Sequence, residues 1–142
     1  MGPLDILERE ISPGNIIRHI SLNSPVVVDW NIIRLVQADW EMADLFHVER
    51  EPLFQSILLS VDVLKCTEFK KVHNECWQAS NGFWIWHNTE WDGVLPIGFY
   101  WGEGYHQVHT LHQLQNLCML VGRFEIKIDL DFLKTLLSQS PV

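Results

Sequence analysis

Five of the seven tryptophans lie between Trp77 and Trp101, and this crowding limits how the chain can fold. In the run Phe83-Trp84-Ile85-Trp86, alternate side chains of a strand point to opposite faces, so both faces of the strand are apolar. Two apolar faces cannot both meet water without a large cost in free energy. The chain must therefore cover both sides of this sheet with its own elements, or use one side to bind another subunit or protein.

The second half of the chain has a mixed pattern. Residues 83–86 and 94–101 are rich in aromatic and branched side chains and are separated by the turn-forming run 88–93, which predicts two strands. In residues 123–130, apolar and charged side chains alternate with a period of two, which predicts another strand with one buried face.

Two helices are expected towards the C-terminal end. Thr110 and Gln113 fit the capping box, in which a hydroxyl and an amide each satisfy a free backbone N–H of the first helical turn. The predicted helix runs over residues 110–121 and ends at Gly122. A short second helix is predicted over residues 131–139.

The first half of the chain predicts helices. In residues 25–46, Val36 and Trp40 fall on an apolar face, although the opening VVVDW also fits a short strand. Residues 52–72 hold an i, i+3, i+4 apolar rhythm and form the clearest predicted helix. The pairs Ser12-Pro13 and Ser24-Pro25 each place a capping hydroxyl before a proline, which predicts two helix starts.

These elements predict an α+β fold in one domain of residues 1–142. Its helical N-terminal half, about residues 1–76, packs on a small and mainly antiparallel sheet, and C-terminal helices complete the domain over about residues 77–142. A length of 142 residues suits one hydrophobic core better than two.

Composition and charge exclude several classes of function. The formal charge is −8 and the basic residues are scattered, so direct binding to nucleic acid or to an anionic membrane is disfavoured. The apolar runs are too short to cross a bilayer, and the start of the chain lacks the basic and apolar pattern of a secretory signal. Cys66, Cys76 and Cys118 lack metal-ligand spacing and are expected to be free thiols of a cytoplasmic protein without a cofactor.

Three histidines recur at three-residue intervals in GYHQVHTLHQLQNLC. On a helix, His106 and His112 would be about 9 Å apart along the axis, and on a strand His109 would oppose the other two. No regular geometry lets all three bind one ion. We therefore expect solvent-facing or interface histidines. The alternative is a metal site that uses two of the three, His106 with His109 or His109 with His112, completed by His87, Asp92 or Glu103 from neighbouring loops.

A second alternative is a metal-dependent hydrolase or nuclease. Glu125 and Lys127 on the predicted strand are spaced like the acid and lysine that hold Mg²⁺ and position water in one nuclease superfamily, with Asp92 as the other acid. His106 and His109 would join this site. A charged, solvent-facing side of an ordinary strand explains Glu125 and Lys127 equally well, and the acidic net charge opposes the binding of a polyanion.

The leading prediction is a non-enzymatic protein-interaction module of the inhibitor, immunity or adaptor type, with a viral or mobile-element origin as one option. Buried tryptophan anchors would supply affinity, and surface acids such as Asp39, Glu41 and Asp44 would steer a basic partner. The chain is also expected to form homo-oligomers through the aromatic sheet. The predicted partner-binding residues are Trp84, Trp86, Trp91, Trp101, Tyr105, Glu90 and Asp92.

Overall fold

The computed structural model describes residues 5–6, 8–102 and 106–139 of the chain. In chain order, the elements of these residues are a 3₁₀ turn (Glu8–Glu10), β1 (Ile16–His19), β2 (Ser24–Val27), α1 (Trp30–Phe46), β3 (Phe54–Gln55), α2 (Val61–Leu64), β4 (Lys70–His73), β5 (Cys76–Gln78), β6 (Trp84–Asn88), β7 (Gly98–Trp101), β8 (His106–Val108), α3 (Leu111–Leu117), a π-helical turn (Cys118–Gly122) and α4 (Leu130–Gln139).

The strands form two antiparallel sheets. A three-stranded sheet has the order β2-β1-β3, and a five-stranded sheet is a meander with the order β4-β5-β6-β7-β8. None of the helices in the described part of the chain has the length and apolar character needed to cross a membrane.

Strand β1 lies between two hydrophobic cores. Ile16 points into the main core, which contains the inner face of the five-stranded sheet together with buried residues of α2, α3 and α4. Ile17 points into a second core, which packs under α1. Adjacent residues of one strand therefore serve different cores, because successive side chains point to opposite faces.

The prediction that the N-terminal half is helical is wrong. Residues 1–76 contain β1 to β4 and the start of β5, and the predicted helix over residues 52–72 is reduced to the four residues of α2. Its apolar rhythm has another cause, because Phe54 enters the second core whereas Ile57 and Leu64 enter the main core. A segment that crosses between two cores is apolar on more than one side without being a helix.

The two predicted Ser-Pro helix starts are also wrong. Ser12 and Pro13 lie in a turn, in which the Asn15 N–H donates to the carbonyl of Ser12. Pro25 lies within β2, which is an edge strand where the missing N–H of proline is tolerated. The strand alternative for VVVDW is correct in part, and α1 begins only after Asp29, whose carboxylate caps it by accepting from the Ile32 N–H.

Residues 123–130 do not form the predicted strand. Their alternation of burial is present, since Ile126 is buried between exposed charged neighbours. The segment pairs with the loop after α2, through a single bridge between Thr67 and Ile128. The Glu68 N–H donates to the carbonyl of Lys127, and the Lys127 N–H donates to the Glu68 carboxylate, so the expected sheet neighbour is replaced by a loop.

The two C-terminal helices are confirmed. Both hydrogen bonds of the capping box at Thr110 and Gln113 are present, and the π-helical turn extends α3 to Gly122. Helix α4 covers the expected residues within one position.

Replacing Thr110 with alanine should lower the free energy of unfolding by about 1 kcal/mol, because the Gln113 N–H loses its acceptor at the buried start of α3. Urea denaturation measures this change. Thr135→Ala is the matched control, because Thr135 is exposed inside α4, where alanine is the better helix former. Equal losses for the two variants would contradict a capping role.

Candidate functional site

Helix α1 is the least buried long element of the described chain. Val36 is its one buried residue, and Ile33 and Trp40 of the same face are partly buried against the second core. This is the face predicted from the sequence. Ile32 also packs against this core, and most of the other residues of the 17-residue helix are exposed.

A second apolar stripe on α1 faces solvent. Its second member lies seven residues after the first, and its last two members lie three and four residues after the second, which places them on one side of the helix. We call this set the α1 stripe: Leu35, Met42, Leu45 and Phe46, all exposed. A cluster of exposed large apolar side chains on a monomer typically marks an interaction surface.

A groove runs beside the α1 stripe. It has a volume of about 260 Å³ and lies between Leu35 and Met42 of α1 and the segment 50–54. Leu53, which is exposed, extends the apolar surface beyond the helix. The stripe and the groove therefore form one continuous surface.

The wall of the groove is held by a cluster around Arg50. The Arg50 guanidinium lies 3.5 Å from the centre of the Trp40 ring and pairs with the carboxylates of Asp39 at 2.7 Å and Asp5 at 3.3 Å. The Trp40 indole N–H donates to the carbonyl of Ile6. These contacts fix α1 against the segment that follows it, so the groove is preformed.

The surroundings of the groove are acidic. Between Asp29 and Glu51 the chain has six acidic and two basic side chains, and Arg50 is already paired with two carboxylates. The exposed acids Glu41, Asp44 and Glu51 have no ion pair among the described residues. Of the predicted steering acids, Glu41 and Asp44 are thus available to a partner, whereas Asp39 is engaged by Arg50.

The predicted tryptophan site lies on the five-stranded sheet. Ile85 pairs with Trp77 on the face that enters the main core, so Trp84 and Trp86 lie on the opposite face. We call this opposite side the tryptophan face. Trp84 is exposed there, and Trp86 is partly buried and stacks on Tyr100 with ring centroids 4.8 Å apart.

The loop between β6 and β7 folds over the tryptophan face. The Asn88 amide donates to the carbonyls of Leu95 and Pro96, and the Tyr100 hydroxyl donates to the carbonyl of Pro96. This loop buries Tyr100, which explains how one large aromatic side chain of an outer face avoids water.

The same loop contains three of the predicted partner-binding residues. Trp91, Glu90 and Asp92 are all exposed. The Asp92 carboxylate accepts from the N–H groups of Leu95 and Val94, and these two hydrogen bonds lower the pKa of Asp92. Asp92 therefore stabilises the turn of its own loop.

Trp101 is placed differently from the other predicted tryptophans. Its side chain lies on the core side of the sheet, partly buried and stacked on Phe83, with ring centroids 6.2 Å apart. His106 of β8, which is the strand partner of Trp101, also stacks on it, with ring centroids 6.0 Å apart. Tyr105 lies outside the described residues.

The three regularly spaced histidines do not share one environment. His106 and His109 are exposed, whereas His112 is buried in α3, so the expectation of a solvent-facing His112 is wrong. Burial lowers the pKa of His112 to about 4, and its Nδ1 lies 3.3 Å from the Thr110 hydroxyl. Residues 106–108 are a strand, and α3 begins only at Leu111, which turns the histidines in different directions.

The residues of the alternative hydrolase or nuclease site each make different local contacts. Asp92 bonds within its own loop, Glu125 lines a cavity together with Arg9 and Asn116, and Lys127 bonds through its backbone to Glu68. Among the described residues, no three His, Cys, Asp or Glu side chains are grouped so that they could hold a metal ion.

The α1 stripe was not among the residues that the sequence singled out. Its spacing in the sequence is regular. The sequence assigns the apolar face of α1 to Val36 and Trp40, and periodicity alone does not reveal that a second apolar stripe stays exposed. The exposure of Leu35, Met42 and Phe46 follows from the position of the second core on the other side of the helix. Comparison of the chain with protein-family models, with curated proteins and with solved structures found no match.

Proposed function

We propose that the protein is a non-enzymatic interaction module of the inhibitor, immunity or adaptor type, which acts inside a cell by binding a basic protein partner. The observation that carries this proposal is the α1 stripe, an apolar surface left exposed beside a preformed groove. The partner would lay a basic, amphipathic helix along the groove, with its apolar side on Met42 and Leu53.

Charge complementarity favours a basic partner over a second copy of this chain. The acids around the groove attract Lys and Arg and repel an identical acidic surface, and a net charge of −8 adds to that repulsion. Self-association through the aromatic sheet stays a separate prediction, because it uses the tryptophan face on another part of the molecule.

The first test compares two methionines that are almost equally exposed. Met42 is 54% exposed on the α1 stripe, and Met119 is 55% exposed on the π-helical turn. A partner captured from a lysate of the native source should bind Met42→Lys at least about tenfold more weakly than wild type, because the variant loses an apolar anchor and repels basic side chains. Met119→Lys should bind as wild type does.

Three results would contradict this proposal. Unchanged affinity of Met42→Lys excludes the α1 stripe as the binding surface. An equal loss for both methionine variants indicates a general effect of the added charge. A wild-type dimer in analytical ultracentrifugation that dissociates in Met42→Lys would assign the stripe to self-association.

Association kinetics test the role of the acids. The double variant Glu41→Lys/Asp44→Lys should slow association with the same partner by about tenfold or more at low salt, with a smaller effect at high salt, because exposed charges act mainly through long-range steering. Stopped-flow or surface binding kinetics at two ionic strengths measure this effect. An on-rate that is unchanged at low salt would exclude a steering role for Glu41 and Asp44.

The tryptophan face is the second candidate surface for a protein partner. Trp84 is exposed on this face, and the loop that folds over it contains the exposed Trp91, Glu90 and Asp92. Exposed tryptophans are common anchors of protein interfaces. A partner that binds Met42→Lys normally but loses affinity for Trp84→Lys would use this surface.

A further inference from the structure

Arg18 is a buried cation that forms no ion pair within the described residues. It lies in β1, on the face that points to the main core, and is 9% exposed. Both ion pairs within the described residues belong to Arg50, so no carboxylate there neutralises Arg18. Burying a charge without a partner typically costs several kcal/mol, and such a charge calls for an anion.

Most hydrogen-bond donors of Arg18 are unused. Its Nη2 donates to Oε1 of Gln55 at 2.6 Å, and its Nε is buried without an acceptor among the described residues. A guanidinium has five N–H groups, which match the two oxygens of a carboxylate in a fork. Gln55 uses one of the five.

Arg18 lines a cavity of about 260 Å³ between β1, the segment 56–63 and α4. Ser56 shares the cavity, is 3% exposed and makes no side-chain hydrogen bond within the described residues. Ser56 thus brings a second donor to the lining of the cavity. The Ser60 hydroxyl, which accepts from the Val63 N–H, keeps its own proton to donate.

The remaining lining of the cavity is largely apolar. Leu136 and Leu137 of α4 face Val63 and Leu58 across it, and Asp62 is the one carboxylate of the lining. Asp62 repels a doubly charged anion more strongly than a singly charged one, and an inorganic anion would gain nothing from the leucines. A singly charged carboxylate with a short apolar tail fits both the donors and the walls, in a space larger than the roughly 150 Å³ cavity that admits benzene.

We propose that this cavity is a binding site for a small organic carboxylate. The carboxylate accepts hydrogen bonds from Arg18 and Ser56, and its apolar tail packs on Leu136 and Leu137. The site is independent of the groove beside α1, because Arg18 and Ile17 point to opposite faces of β1.

Hexanoate is the probe that tests this site, with hexanamide as an uncharged match and inorganic phosphate as a second anion. Titration into ¹⁵N-labelled protein should give saturable amide shifts around Ser56, Val63 and Leu137. Hexanamide and phosphate should each bind at least about tenfold more weakly, because the fork to Arg18 and the apolar walls are both needed.

Variants separate binding from folding. Arg18→Gln should fold at least as stably as wild type without ligand, because it removes an uncompensated charge, and should lose hexanoate binding. Leu136→Trp should block the cavity while Arg18 remains. Arg34→Gln, which removes an exposed arginine of α1, should bind hexanoate as wild type does.

Several outcomes would overturn the proposal. They are equal binding of hexanoate and hexanamide, phosphate binding as tight as hexanoate binding, retained binding in Arg18→Gln or Leu136→Trp, and the absence of saturable shifts in wild type. If Arg18→Gln does not fold, retained or lost binding in Leu136→Trp and in Ser56→Ala decides the matter.

Discussion

Replacing Leu114 with alanine should lower the free energy of unfolding by about 2 to 5 kcal/mol. Leu114 is fully buried on α3, where it contacts the main core. The truncation removes apolar contacts and leaves a cavity that the surrounding side chains fill only in part. Urea denaturation followed by circular dichroism measures the change.

Leu120 supplies the matched control. It lies one and a half turns further along, on the π-helical turn, and is 81% exposed. Leu120→Ala should change the free energy of unfolding by less than about 0.5 kcal/mol, because an exposed truncation creates no cavity. A loss above about 2 kcal/mol at Leu120, or below about 1 kcal/mol at Leu114, would contradict the position of α3 against the core.

Acid should destabilise the fold through His112. Burial lowers the pKa of His112 to about 4 in the folded chain, whereas an unfolded histidine has a pKa of about 6.5. Between these values the unfolded chain binds a proton that the folded chain does not. The free energy of unfolding is therefore unaffected by His112 above pH 6.5 and falls as the pH is lowered towards 4. The loss due to His112 should be about 2 to 3 kcal/mol at pH 4.5.

The test compares unfolding at pH 7.5 and pH 4.5 in wild type and His112→Gln. The variant lacks the titrating group, so its loss of stability on acidification should be smaller than that of wild type by about 2 to 3 kcal/mol. His109→Gln, at an exposed position, should show the wild-type loss. An identical pH dependence in wild type and His112→Gln would exclude His112 as the group responsible.

Features governed by local chemistry could be predicted from the sequence. The capping box at Thr110 was predictable because its two hydrogen bonds join residues three apart, and its residue types have few other reasons to occur in that order. The alternation of Trp84, Ile85 and Trp86 across β6 follows in the same way from the two-residue period of a strand.

Features governed by distant contacts could not be predicted. The apolar rhythm of residues 52–72 has a helical spacing, yet Phe54 and Leu64 belong to different cores, and nothing within the segment reveals this. The edge position of Pro25 likewise depends on strands that lie elsewhere in the chain. Propensity is a weak guide wherever tertiary packing decides.

In the candidate sites, too, some features follow from local sequence and others depend on distant contacts. Trp84 and Trp91 of the predicted partner-binding set are exposed, whereas Trp101 turns towards the core, and the alternation of the strand does not distinguish a covered face from an open one. Arg18 gives no signal in the sequence, because a single arginine in a strand is normally placed at the surface. Its burial follows from the pairing of β1 between β2 and β3, which only the assembled sheet provides.

Strand β1, which serves two cores, also determines how the chain could be divided. The whole three-stranded sheet and the second core lie before residue 56, so a fragment ending at Gln55 would carry a complete sheet. That fragment would nevertheless expose Ile16 to water, and the Ile16 N–H would lose its acceptor on Gln115. The segment up to Gln55 is contiguous in sequence but is not a module that recombination could transplant intact.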